Sequence, residues 1–218
     1  MSVRRSVLCL AVAVLLLAGA DASQARKKKN ADPMNIEDGA LDQIHLSVPK
    51  IEGGVPVVIR TFSTEHTDFG TGDEGGKEKR IRAAEVMKKA APDLLAEKMK
   101  SELDASHAFG EVTIQESPGE VPAGALVVEG EFVTINPGNR AKRYWVGFGA
   151  GASGVGVSGK VTDAAGKTLA ELKHLKHSGI GIGGGAYEKF LSDDAQDVGK
   201  DIAKFLVTWA RGGDLTKD

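Results

Sequence analysis

The sequence predicts an α/β fold: a single sandwich domain with a mixed sheet, a C-terminal antiparallel hairpin, and helices packed on it. Three observations predict it. Val155, Val157, Gly159 and Val161 alternate with Gly156, Ser158, Lys160 and Thr162, the period of a strand. Asp163-Ala164-Ala165-Gly166 then supplies tight-turn chemistry before a second extended run, Thr168–His177. The closing segment, Gly183–Trp209, is helical: Tyr187, Leu191, Val198, Ile202, Phe205, Leu206 and Trp209 fall on one side. Lys189, Asp193, Asp197, Lys200, Asp201 and Lys204 fall largely on the other, and Gly199 interrupts the helix where a close backbone approach is expected.

The earlier elements follow in order. Ile44, Leu46 and Val48 alternate with polar residues and start the domain as a short strand. Val55–Phe62 contains the β-branched run Val57-Val58-Ile59, expected of a strand covered on both faces. Ser63–Lys77 is a glycine-rich, charged loop. Its Asp68, Asp73 and Glu74 lack the spacing of a calcium loop. Glu78–Ala105 is helical, with a break or kink expected near Ala91 because Pro92 cannot donate a backbone hydrogen bond. Leu95, Met99 and Leu103 form its packing stripe. Gly110–Gln115 and Leu126–Ile135 are strands; in the second, Val128, Gly130 and Phe132 face the core and Glu129 and Glu131 face water.

The ends carry addresses rather than fold. Met1–Ala22 has the charged start (Arg4, Arg5), apolar centre and small-residue cleavage site of a secretory signal, which is too short to span a bilayer. Leu17-Ala18-Gly19-Ala20 is similar to a lipobox whose cysteine is replaced by Ala20. The expectation is therefore a soluble exported protein, periplasmic or extracellular, with no membrane span after cleavage. Residues 23–42 read as a disordered tether, 43–211 as the domain and 212–218 as a tail. The only cysteine, Cys9, leaves with the signal. Cleavage leaves 26 basic against 29 acidic residues, a balance unlike that of a nucleic-acid binder.

Little in the chain points to a reaction. Gly166-Lys167-Thr168 lacks the upstream glycine of a phosphate loop, since position 161 is Val161. His174 and His177 lie three apart on a strand, so they point to opposite faces and cannot share a metal. With Lys173 and Lys176 they are expected to form a basic strand surface. No cofactor and no metal are expected.

Val128-Glu129-Gly130-Glu131-Phe132, Asn136-Pro137-Gly138, Arg143 and Gly147-Phe148-Gly149-Ala150-Gly151, followed by the Val157 strand, the Asp163…Gly166 turn and the closing helix, form an ordered set. From Val55 to Trp209 this set resembles the bacterial domain-of-unknown-function 4410 family. The resemblance implies an exported envelope protein with no established activity. More loosely, the order of elements is similar to envelope-assembly lipoproteins of the curli-secretion and cell-wall-synthase-activator groups, which implies a non-catalytic accessory role.

The functional expectation is a non-catalytic binding module. Its partner would be an envelope protein or an anionic surface, either lipid headgroup or glycan. The hairpin places Gly147–Gly154 and Ser178–Gly185 at one end of the sheet, opposite Gly166. Arg140, Lys142, Arg143 and Trp145 enter that end, and Gly149, Gly151 and Gly183 lie in its glycine-rich segments. Two readings of this end stay open. In one the glycines permit close packing with Trp145 in the core. In the other the seven residues form an electropositive binding platform. The alternatives for function are a hydrolase using Glu129, Glu131 or His174, and a binder whose glycine-rich backbone takes an anionic ligand.

Overall fold

The computed structural model describes residues 34–70, 77–116, 118–136, 154–177 and 187–217, all within one compact unit. The strands are β1 (Met34–Glu37), β2 (Gln43–Leu46), β3 (Val57–Arg60), β4 (Val112–Gln115), β5 (Leu126–Asn136), β6 (Gly154–Asp163) and β7 (Thr168–Lys176). The helices are α1 (Lys77–Ser106) and α2 (Tyr187–Arg211). The strands form one mixed sheet in the order β1-β2-β7-β6-β5-β3-β4. β3 runs parallel to both of its neighbours, and every other pairing is antiparallel.

The β6–β7 hairpin forms as its sequence dictates. Gly166 takes φ +83, its N–H reaches the Asp163 carbonyl, and the Asp163 carboxylate accepts the N–H groups of Ala165 and Lys167. The β-branched run of β3 is fully buried on both sides: Val57 and Ile59 join the main core, and Val58 joins a small second cluster with Ala125 and Val127.

The main core lies between one sheet face and both helices. α1 contacts β3, β4 and β5; α2 contacts β6 and β7; the helices also pack on each other. Leu95, Met99 and Leu103 meet Leu191, Val198, Ile202, Phe205, Leu206 and Trp209 in it, all essentially inaccessible. A Cβ on Gly199 would overlap the Leu95 carbonyl oxygen, so the glycine marks the close approach of the two helix backbones.

Three expectations are corrected. α1 is continuous through Pro92, so of the break or kink expected near Ala91 the break is absent. The carbonyl that residue 92 would have bonded belongs to Lys88, and Thr64 Oγ1 donates to it at 3.3 Å. The buried stripe on both sides of the proline holds the helix together despite the missing donor. The segment read as a tether contributes β1, and Ile36, Ala40 and Leu41 are buried. The segment read as a tail packs on it: Leu215 is buried and its carbonyl accepts the Ala40 N–H at 3.0 Å. In both cases a few apolar residues in a polar stretch found a surface to cover, which composition averages hide.

Candidate functional site: the helix-free face of the sheet

The sheet face away from the helices carries polar and charged side chains, because alternate residues of each strand point there. Asn35, His45, Glu171, Lys160 and Glu129 are paired in register from β1 through β2, β7 and β6 to β5. Arg60 on β3 bonds Glu129 at 2.6 Å and is paired with Gln115 on β4. One polar row therefore crosses all seven strands, a span of about 29 Å at the usual strand spacing. A second row, Gln43, Lys173, Ser158 and Glu131, runs beside it. The two rows floor an open concavity of about 880 Å³.

Glu129 is the anchor of the first row. Lys160 Nζ lies 3.0 Å from one carboxylate oxygen and Arg60 2.6 Å from the other. Partial burial pushes its pKa up, but hydrogen bonds from Lys160 and Arg60 outweigh this and hold it below the usual glutamate range. Glu129 is thus an ionised, neutralised group at pH 7, unsuited to donate a proton. Glu131 is exposed, with His66 Nδ1 at 3.8 Å. The sequence placed both glutamates on the wetter face, and they are there. It did not single out Arg60, Lys160, Glu171 or Lys173 as their neighbours. The available signal was alternation within β6 and β7; what joins the strands into rows is long-range pairing.

His174 sits on the other side of the sheet and is only 8% exposed. The expected basic strand surface is corrected: Lys173 faces the open side, whereas His174 and Lys176 turn toward α2. His174 Nδ1 lies 3.1 Å from Asp42 and Nε2 3.1 Å from Asp201. Asp42 also accepts the Leu175 N–H at 2.6 Å, and Asp201 accepts Lys176 Nζ at 2.7 Å. Burial alone would lower the pKa of His174; the hydrogen bonds to Asp201 and Asp42, with their charges, instead hold it above its ordinary 6.5. Burial pushes Asp201 up, and His174 and Lys176 bring it down to about 2. With both ring nitrogens engaged, His174 offers no lone pair to a substrate or a metal. Glu129 and His174 are separated by the sheet and do not form one site. Among the described residues no group of three or more His, Cys, Asp or Glu is arranged to hold a metal ion.

Arg140, Lys142, Arg143, Trp145, Gly149, Gly151 and Gly183 all lie outside the described residues. Their flanks are described. Asn136 pairs with Gly154, and Val155 pairs with Lys176, so these described flanks lie at the sheet end opposite Gly166. No helix among the described residues is long and apolar enough to cross a membrane.

Residues 57–181 match the family model "Domain of unknown function (DUF4410)". No curated protein matches the chain. Among solved structures, the chain is similar to the PelC dodecamer from Paraburkholderia phytofirmans in two crystal forms, the first a point variant. Each is 12% identical, with a TM-score of 0.33. The first match covers 71% of this chain and 94% of that one; the second covers 68% and 88%.

Proposed function

The chain belongs to the DUF4410 family, and on that premise we propose that it is a non-catalytic, exported binding or accessory module of the bacterial envelope. The observation that carries this reading is the helix-free sheet face. It presents two polar rows and a concavity of about 880 Å³ with no element of the described fold laid over them. The acid–base candidates there are either neutralised by neighbours, as Glu129 is, or open to solvent beside His66, as Glu131 is. The face is built for hydrogen bonding to an extended polar partner rather than for proton transfer. Export is proposed from the Met1–Ala22 signal pattern. Arg140, Lys142, Arg143 and Trp145, with Gly149, Gly151 and Gly183, are proposed as a second contact at the sheet end opposite Gly166.

The test exchanges two charges on the face. Glu171→Lys with Lys173→Glu keeps the net charge, and both residues are exposed. This double variant should melt with the parent yet lose capture of envelope components. Capture at parental strength removes the face from the account. Arg140→Glu with Arg143→Glu tests the second contact in the same way. Glu129→Ala, Glu131→Ala and His174→Gln together test the hydrolase alternative: a turnover found in the parent and lost in a folded triple variant would favour it.

A further inference from the structure

We infer that Asp42, His174 and Asp201 form a proton-operated latch that fastens the β1–β2 edge hairpin to β7 and α2. The geometry requires it. Each ring nitrogen of His174 faces a carboxylate oxygen at 3.1 Å. An ionised carboxylate only accepts hydrogen bonds, and a neutral imidazole has a single N–H. Both contacts are therefore made only by the doubly protonated ring. Loss of the proton sets a nitrogen lone pair against a carboxylate.

The groups around the ring balance its charge. The segment between β1 and β2 supplies Asp38 and Asp42, α2 supplies Asp201 and Lys204, and β7 supplies Lys176, with His177 following it. The residue paired with His174 on β6 is Val157, which does not titrate. With His174 charged, Asp38, Asp42 and Asp201 face His174, Lys176 and Lys204. A cleft of about 420 Å³ opens onto the cluster and gives protons a path.

The side that yields is the hairpin. Asp201 keeps its Lys176 ammonium and rides on a 25-residue helix rooted in the core. Asp42 keeps only a backbone N–H and belongs to a short segment at the sheet edge. His174 has a folded pKa above 6.5, so the contribution of the latch is whole below pH 6.5 and is lost as pH rises through the folded value. Asp201 and Asp42 act in the opposite sense. Their contribution is present above pH 3.8 and is lost in acid, for Asp201 through about pH 2. The latch is therefore closed from about pH 4 to pH 6.5 and opens on the alkaline side. Asn35 and His45 of the same hairpin end the polar row on the opposite face, so opening changes one end of the concavity. The latch does not depend on what the concavity binds.

Amide hydrogen exchange on the full chain reads the latch directly. The N–H groups of Asp38, Gly39 and Ala40 are bonded within this segment or to Leu215, and they report its opening. After correction for intrinsic exchange, their protection should fall about tenfold between pH 6 and pH 9, the scale of one lost charge-assisted hydrogen bond. Amides of α1 around Leu95 should hold. His174→Gln should abolish the step. Asp42→Ala should also abolish it, because the hairpin then holds no carboxylate for the ring to grip. A step that persists in either variant, or no step in the parent, overturns the latch. In the parent, the midpoint of the step must coincide with the midpoint of the His174 ring titration by NMR; separate midpoints overturn it even if neither variant folds.

Discussion

Gly199→Ala sets two effects of opposite sign against each other at one position. On an isolated helix the change would stabilise by up to about 1 kcal/mol, since alanine loses less backbone entropy and solvates less backbone. In this fold the added Cβ would overlap the Leu95 carbonyl oxygen of α1 and come within 3.2 Å of its carbonyl carbon and 3.3 Å of its Cα. These are backbone atoms inside a 30-residue helix, so no rotamer change relieves the contact. The helices must separate, and Leu191, Val198 and Ile202 lose packing with them. Overpacking of this kind costs about 1–3 kcal/mol. Set against the full propensity gain, this leaves a net loss of up to about 2 kcal/mol. For a domain of this size that lowers Tm by up to roughly 8 °C. Urea and thermal unfolding followed by far-UV circular dichroism measure it. A Gly199→Ala protein more stable than the parent would refute the close helix crossing.

Two further outcomes are expected, one from the structure and one from the sequence. Glu129→Gln removes the charge that Arg60 and Lys160 share and should cost about 1 kcal/mol at pH 7, the upper end for a partly exposed pair. Because the folded pKa of Glu129 is depressed, that stabilisation is present above pH 4.5 and is lost as pH falls through the folded value. The gap between parent and variant should close in acid, and a gap independent of pH would contradict the ion-pair account. Intact mass of the exported protein should place its start near Ser23 without an acyl group; retention of Met1–Ala22 or an added lipid would contradict the export reading.

What was legible in the sequence was local. The Asp163…Gly166 turn and the alternation on either side of it specify the β6–β7 hairpin without reference to the rest of the chain. The i, i+4 stripe of Leu95, Met99 and Leu103 and the apolar side of α2 likewise mark their buried faces. Gly199 was legible as a close approach because little else explains a glycine inside a helix. What was hidden depends on distant partners. β1 has one buried residue, Ile36, in a polar stretch, and only its pairing with β2 makes it a strand. The carbonyl that Pro92 leaves without its helical donor is met by Thr64, 24 residues away from Lys88. The parallel placement of β3 between β4 and β5 requires α1 as a crossover, which alternation within β3 cannot reveal.

The candidate site divides in the same way. Glu129 and Glu131 could be assigned to the open face from alternation alone. The ladder from Asn35 to Gln115 could not, because its members come from seven separate strands. His174 had a local signal that was outweighed by its basic neighbours: Ala170, Leu172 and His174 recur at period two, and the first two are plainly core residues. Its partners Asp42 and Asp201 lie 132 and 27 residues away, and no spacing rule joins them. A buried histidine bracketed by two carboxylates is a property of the folded chain.

The helix-free face is the surface proposed to meet the partner. Lysine acetylation footprinting in envelope extract tests it most directly, because reporters stand on both sides of the sheet. Lys160 and Lys173 rise from the open face, whereas Lys89 and Lys200 are exposed on the helices. Extract should protect Lys160 and Lys173 and leave Lys89 and Lys200 as reactive as in the isolated protein. Protection of Lys89 and Lys200 with Lys160 and Lys173 still reactive would contradict it.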